Sequence, residues 1–372
     1  MTGGRGAGHI GLYLPSLAVG GAERVMITLA NGFAEAGRRV TLILDRAEGG
    51  LAPLIAPTVS VVPLGVRRTT QAGPVLARAV AEAAPDVVLS ALPHNNLVAL
   101  ASLRGTPVVI TEHLMLDREL MDRRRLERLA LRLAIRLLYR RAAGRIAVSP
   151  DAAVAMAAVA GLPRGAVSVV GNPVIPALPQ ALPSAPHPWL SEQPGPLVFA
   201  GRMVASKDVA TLLAALALLP QERLILLGDG PERAALEAQA AALGLSARVA
   251  FVGTVPGTDA WFARAGAVVL PSRHEGFGNV LVEAMAWGTP VVSTDAPGGP
   301  RYILEDGDLG PLAPVGDPAG LAAAIQTCRA DPVPADRLRA RAAEFTWSTV
   351  TQRYLERLDR AATGHSAKHL SA

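Results

Sequence analysis

Short apolar runs recur along the chain, most of them four to six residues long, separated by alanine- and leucine-rich stretches of helical length. Runs of that length with no polar alternation fit strands buried on both faces, which is the condition of a parallel sheet covered by helices. The pattern predicts strands at 9–14, 40–45, 59–63, 86–91, 107–110, 145–149 and 167–170, then at 197–200, 223–227, 249–252, 267–270 and 291–294. Helices are expected between them, among others at 22–37, 75–84, from 151, at 209–218, 232–243 and around 259–265, with a last one near 348–361. Such an alternation reads as doubly wound α/β architecture. At 372 residues the chain can hold two domains of ordinary size. The boundary is expected at a proline-rich stretch without hydrophobic periodicity. A first domain would span 1–178, a linker 179–195 and a second domain 196–345, with the C-terminal helix of 346–372 free to cross back to the first domain.

Composition removes several classes of protein. Cys328 is the single cysteine, which excludes a disulfide framework and a cysteine-based zinc site and agrees with a reducing cytoplasm. The N-terminal stretch MTGGRGAGHIGLYL has no apolar run of signal-peptide length, and no long uncharged apolar run follows. A cytoplasmic protein is expected, with the inner face of the cell membrane as a place for peripheral attachment. The net charge of +5 is unevenly spread: residues 1–180 hold 20 Lys+Arg against 12 Asp+Glu, and the remainder 16 against 19. The basic excess therefore belongs to the N-terminal half and points to an anionic partner there.

The stretch LPSRHEGFGNVLVEAMAWGTP at 270–290 carries the strongest chemical signal. Gly276 and Gly278 allow backbone N–H groups to approach a ligand, Asn279 can cap the helix that follows, and Gly288 can end it. Glu275 stands in the turn and Glu283 on the helix's second turn, so the two carboxylates meet different parts of a phosphorylated, hydroxyl-rich ligand. Elsewhere, Arg202 and Lys207 follow the strand at 197–200, and Lys207 is one of only two lysines. An arginine fork and a lysine point charge at a strand's carboxyl end suit a diphosphate. Gly228 and Gly253 close two neighbouring strands. In the first half, Gly20 and Gly21 precede a helix as a phosphate-approach turn, or simply as a tight turn. His94, Asn95 and His113 stand at strand ends, where sugar or acceptor contacts and plain structural roles are both open.

Residues 117–145 hold ten arginines and four acids. Leu126, Leu129, Ala130, Leu133, Ala134, Leu137 and Leu138 keep helical spacing and predict a core-facing side, flanked by a stripe of Arg125, Arg128, Arg132, Arg136 and Arg140. The stripe suits an anionic lipid surface, each cation near it contributing about 1 kcal/mol. It equally suits a packed helix with a solvated basic face. Nucleic acid fits least, because no aromatic residues interleave with the arginines.

Taken together, GGAER at 20–24, TEH at 111–113, VSPDAA at 148–153, GNPV at 171–174, AGRMVASKD at 200–208, GDGPER at 228–233, the 274–295 segment with its E-x7-E spacing, and GGPR at 298–301 resemble the GT-B glycosyltransferases of family 4. Those enzymes are retaining and use nucleotide-sugar donors. The resemblance implies two Rossmann-like domains facing across a cleft, acceptor in the first and donor in the second. It implies that Glu283 holds the donor ribose and that Arg202 and Lys207 neutralise the diphosphate. Backbone around Gly276, Phe277, Gly278 and Asn279 would contact phosphate and sugar, Glu275 would bind the transferred sugar, and Gly228 and Gly253 would help line the donor site. His113 would stand near the reacting centre, with Gly20 and Gly21 closing on the phosphates and His94 and Asn95 on the acceptor side. Tyr302 departs from the pattern, standing where many relatives carry an acid, and receives no role. Neither a metal nor a separate cofactor is implied. The expected activity is sugar transfer to a glycan or lipid-linked glycan of the cell envelope. The alternatives are transfer to a soluble small acceptor, or a nonenzymatic nucleotide-sugar or membrane-binding protein on the same fold.

Overall fold

The protein is described from a computed structural model covering residues 6–121 and 123–369. The first five residues of the N-terminal stretch and Asp122 of the arginine-rich segment lie outside the described residues. The chain forms two compact units, Met1–Pro173 together with Trp347–Ala372, and Val174–Thr346.

The first unit is built on seven parallel strands: β1 (His9–Leu14), β2 (Arg39–Leu44), β3 (Ser60–Pro63), β4 (Val87–Ala91), β5 (Val108–Glu112), β6 (Gly144–Ala147) and β7 (Ser168–Val169). They lie in the order β3-β2-β1-β4-β5-β6-β7. Burial on both faces explains the apolar runs. Ile10, Leu12 and Leu14 of β1 and Val87, Leu89 and Ala91 of β4 enter one core, while Tyr13, Val88 and Ile110 enter the other. The first core also takes Val350, Tyr354, Leu355 and Leu358 of the last helix, Trp347–His369, which is how that helix belongs to the first unit. Helix ends follow local chemistry. Ser149 caps the helix Pro150–Ala160 by accepting from the Ala152 amide, Pro150 opens it, and Gly161 at φ 62° closes it.

The second unit repeats the plan with β8 (Leu197–Ala200), β9 (Leu224–Leu227), β10 (Val249–Gly253), β11 (Ala267–Leu270), β12 (Val291–Thr294) and β13 (Leu312–Ala313). All are parallel, in the order β10-β9-β8-β11-β12-β13. In both sheets the order reverses beside the first strand, between β1 and β4 and between β8 and β11. Open parallel sheets gather ligands at the carboxyl ends on either side of such a switch.

Two expectations need correction. The stretch 179–195 is not a free linker, since it belongs to the second unit. Leu190 is buried, and the side chains of Arg264 and Arg329 donate to the carbonyls of Pro183 and Gly195. Lack of periodicity marked irregular chain, and irregular chain can still pack. The arginine-rich segment is also broken, into the helices Leu116–Met121 and Arg125–Leu138, a turn at Tyr139–Arg141, and β6. Its inner side is Leu131, Ile135, Leu138 and Tyr139. The expected core-facing leucines Leu126, Leu129, Leu133 and Leu137 are exposed. This helix has two apolar faces, and only packing against the helices around it decides which one is covered.

Candidate active site

In the second unit, the loops that leave β8 and β11 flank the switch point, and they bring together Lys207 and Glu275, two of the side chains the sequence singled out. Lys207 Nζ donates to Glu275 Oε1 at 2.5 Å across 68 residues of sequence. The Ser272 hydroxyl donates to the same oxygen, also at 2.5 Å. Glu275 is nearly buried, so its charge depends on these partners. Its Oε2 takes no hydrogen bond among the described residues, and Lys207 has donors to spare. Arg202 is exposed and forms no ion pair among the described residues. The site therefore holds one cation committed to a carboxylate, one uncommitted, and one carboxylate oxygen still able to accept a hydroxyl.

Several contacts fix this geometry. Arg273 pairs with the buried Asp208 at 3.1 Å, and its amide donates to the Ser206 carbonyl at 2.8 Å, which ties the β11 loop to the β8 loop. The Thr294 hydroxyl donates to the Ser272 carbonyl at 2.5 Å. The glycines of 298–299 are required by space. A Cβ on Gly298, at φ 127°, would stand 1.9 Å from the Glu275 carbonyl oxygen, and one on Gly299 would stand 1.8 Å from that of Phe277. Gly228, at φ 118°, likewise lies against the Gly201 carbonyl, so it holds the β8 and β9 loops together. Gly253, at φ 88°, accepts the Gly228 amide at 2.7 Å and meets only an arginine side chain.

The amides of Gly276, Phe277 and Gly278 make no turn or loop hydrogen bond among the described residues, which leaves them open to a ligand. The Phe277 ring itself is buried, packed edge-on to Phe345 at 5.3 Å and near Tyr302 at 6.4 Å. Tyr302 is thus part of the aromatic backing of the turn, with the Arg341 guanidinium 4.9 Å from its ring. The expected cap at Asn279 is corrected. Gly278, left-handed at φ 100°, is the N-cap, and Asn279 is the first residue of the helix Asn279–Ala286. A tight turn needed positive φ just where a capping side chain would have stood. On that helix Glu283 accepts from the Thr258 hydroxyl at 2.8 Å.

In the first unit the strand ends are polar but buried. His113 follows β5 and is almost fully enclosed, with Nδ1 3.3 Å from Asn172 Oδ1 and Nε2 3.5 Å from the Thr111 hydroxyl. Burial lowers its pKa to about 4, against a smaller upward pull from Asn172, so the ring is neutral near pH 7. Because Asn172 Oδ1 can only accept, Nδ1 carries the proton and Nε2 is the acceptor. Its neighbour Glu112 is equally enclosed, accepting from Tyr139 at 2.5 Å and Asn96 at 2.9 Å, and burial raises its pKa to about 8. Beside the switch point of this sheet, the Tyr13 hydroxyl and the Thr69 hydroxyl each donate to Asp45 at 2.7 Å.

An open groove of about 770 Å³ runs past Thr69, His94, Asn95, Arg68, Arg123 and Glu119. His94 is exposed on it, with Nε2 3.4 Å from the Arg123 guanidinium. Desolvation and that cation both lower the imidazole pKa. Asn95 lies buried in the wall. His94 and Asn95 are thus brought together, whereas His113 is held apart against Asn172. Gly20 is the N-cap of the helix Gly21–Glu35 in extended backbone, and a Cβ on Gly21 would meet nothing within 4 Å. Space is open at Gly21, a Cβ on Gly20 would stand 2.2 Å from the Glu23 carboxylate, and no positive φ demands glycine at either position.

Sequence reasoning missed Ser272, the Arg273–Asp208 clamp, Thr258 and the buried partners Asn172, Tyr139, Tyr13 and Asp45. Ser272 had a local signal, three residues before Glu275 in the same turn. The others are set by pairing between distant segments. Among the described residues no three His, Cys, Asp or Glu side chains gather as a metal-binding group.

A family model described as Glycosyltransferase Family 4 matches residues 19–178, and one described as Glycosyl transferases group 1 matches residues 195–331. The chain is similar to the lipopolysaccharide core biosynthesis glycosyltransferase LpsE of Rhizobium meliloti (strain 1021), 41% identical over 163 residues, which is 42% of this chain and 48% of that protein. It is also similar to the 2-deoxystreptamine glucosyltransferase of Streptomyces kanamyceticus, 30% identical over 251 residues, 63% of this chain and 64% of that protein. The chain spans about half the length of the first of these curated relatives and under two thirds of the second. Among solved structures, Anabaena Alr3699/HepE in complex with UDP and glucose aligns with a TM-score of 0.74 at 27% identity, covering 93% of this chain and 98% of that one.

Proposed function

The chain belongs to the group 1, family 4 glycosyltransferases of GT-B fold, and from that premise we propose that it transfers a sugar from a nucleotide-diphosphate donor to a hydroxyl of a glycan or lipid-linked glycan during assembly of an envelope polysaccharide or glycolipid. The observation that carries this reading is the convergence of Lys207 and Ser272 on one oxygen of Glu275, with the exposed cation Arg202 in the same loop after β8 as Lys207. When the anomeric C–O bond breaks, negative charge grows on the departing diphosphate. Cations already fixed at that place act mainly in the transition state. Lys207 and Arg202 supply them, the unbonded amides of 276–278 add dipoles, and Glu275 Oε2 accepts from a sugar hydroxyl. Glu283, braced by Thr258, holds the ribose. Retention follows the family.

The acceptor reading rests on the first unit. His94 and Asn95 meet the acceptor along the groove, and His113, neutral and proton-bearing only on Nδ1, orients through hydrogen bonds. The similarity to a lipopolysaccharide core enzyme supports an envelope acceptor. The stripe Arg125, Arg128, Arg132, Arg136 and Arg140, with the exposed leucines beside it, supports attachment to an anionic membrane surface. Among the described residues no helix is long and apolar enough to cross a membrane. A second reading, transfer to a small soluble acceptor, is favoured by the longer match to the 2-deoxystreptamine enzyme.

Donor turnover tests the proposal, with a UDP-sugar as the first choice because the Anabaena relative was crystallised with UDP and glucose. Wild type should release nucleotide from at least one common nucleotide sugar, and Glu275→Ala should lose most of that rate. Equal, slow release by both proteins from every common donor would refute an enzyme.

A further inference from the structure

A second concentration of positive charge lies in the first unit, at the amino ends of β6 and β7 and so at the opposite edge of that sheet from His113. A cavity of about 180 Å³ is lined there by Arg145, Ser168, Arg357 and Arg360 with the backbone of 143–144. That is room for roughly six waters. Arg145 is pinned rather than neutralised, its guanidinium donating to the carbonyls of Tyr139 and Arg140, both at 2.8 Å. Arg357 is pinned in the same way by the Arg353 carbonyl at 2.6 Å, and its Nε is buried without a partner. Among the described residues the only carboxylate paired with these three cations is Glu356, exposed and 3.6 Å from Arg357. Burial also depresses the Arg145 pKa, as expected for a cation withdrawn from water without an anion.

Three guanidinium groups around one small cavity repel one another, and a buried donor without an acceptor is costly. A compact anion in the cavity offsets that repulsion and offers the lining guanidinium groups an acceptor. We propose that this pocket binds a phosphate or diphosphate group, held between Arg145, Arg357 and Arg360 with the Ser168 hydroxyl as a further donor. Planar forks fixed by backbone carbonyls are pre-organised for an ion that presents several oxygens at once, and a carboxylate has too few to satisfy all three. The ligand is either a soluble phosphate compound or the phosphate of a lipid headgroup.

The two sources separate by experiment on the full chain. Equilibrium dialysis with labelled pyrophosphate at fixed ionic strength, in the Arg202→Ala/Lys207→Ala background, removes the contribution of the second unit. One equivalent should remain bound, and Arg357→Gln/Arg360→Gln should weaken it about tenfold or more. Arg360 is exposed, so Arg360→Gln alone should keep the fold and still lower affinity. Flotation on phosphatidylglycerol vesicles against phosphatidylcholine vesicles supplies the other arm. Flotation lost in Arg357→Gln/Arg360→Gln, with free pyrophosphate unbound, assigns the pocket to a lipid phosphate. If neither pyrophosphate binding nor flotation changes with these arginines, or if neither occurs, the pocket is not a phosphate site.

Discussion

The two switch points are built alike in backbone and differently in charge. In the second unit the loops after β8 and β11 bring Lys207 onto Glu275 and Arg273 onto Asp208, and they leave Arg202 free. In the first unit Tyr13 of β1, at the switch point, and Glu112 and His113 at the end of β5, one strand beyond it, lie in burial that keeps each of them uncharged near neutral pH. The difference teaches how one fold divides its labour. On the proposed function, a unit that steadies a departing diphosphate keeps fixed charges where the anion grows. A unit that positions a hydroxyl acceptor needs donors and acceptors of settled protonation, and burial provides that.

The sharpest way to break this contrast is to make the first unit ionise. The Glu112 pKa rises from an ordinary 4.5 to about 8. Between those values the unfolded chain loses the proton and the native state keeps it, so stability falls as pH rises through that window. Full ionisation costs on the order of 5 kcal/mol. Glu112→Gln cannot ionise. Chemical denaturation should find it close to wild type at pH 5 and more stable at pH 8.5, and parallel profiles would contradict a buried neutral acid. His113 works in the other direction. Its pKa falls from 6.5 to about 4, so stability declines as pH drops from 6.5 to 4, by up to about 3 kcal/mol, and His113→Gln should flatten that arm.

Removing charge from the second unit should cost turnover rather than fold. Loss of one preorganised group at a developing charge typically removes about 3 to 4 kcal/mol of barrier lowering, or two to three decades in kcat. Arg202→Ala, at an exposed side chain, should show that loss with an unchanged melting temperature. Lys207→Ala should show the same loss and a lower melting temperature as well, because Glu275 is left nearly buried without its cation. Identical melting behaviour in the two variants would mean that the Lys207–Glu275 pair does not stabilise the loop. A smaller effect is expected at Thr258→Val, which removes the bond to Glu283. Donor KM should rise about fivefold with kcat little changed, in keeping with a hydrogen bond contributing about 1 kcal/mol.

Much of this architecture was legible because strands buried on both faces must be apolar throughout, and the glycines of 228, 253, 278 and 298 stand where positive φ is required. Side-chain partnerships were not legible. Lys207 and Glu275 are 68 residues apart, and His113 and Asn172 are 59 apart. The first pair is joined by the adjacent ends of β8 and β11, the second by the loops after β5 and β7, which meet across the end of β6. Tyr13 reaches Asp45 for the same reason, β1 and β2 lying side by side in register. The proline-rich stretch misled because absence of periodicity reports irregular backbone and says nothing of burial.

The helix Arg125–Leu138 poses the remaining contrast, since the unit that buries its titratable strand ends carries its free charge outside. Ile135 faces the core at 0% exposure, while Leu129 and Leu133 are 67% and 58% exposed on the other side, next to Arg125, Arg132 and Arg136. Spacing alone could not rank these two faces, because both repeat every three or four residues. Stability can rank them. Leu129→Ser/Leu133→Ser should leave unfolding free energy within about 0.5 kcal/mol of wild type, as expected for surface positions. Ile135→Ala should cost about 2 kcal/mol or more, as expected for a buried aliphatic side chain. If the leucines insert into lipid, the same double serine variant should float less well on anionic vesicles, even though every arginine remains. Flotation lost only when the arginines become glutamine would make attraction to the surface purely electrostatic. A serine variant that unfolds early would place the leucines against a covering surface rather than water.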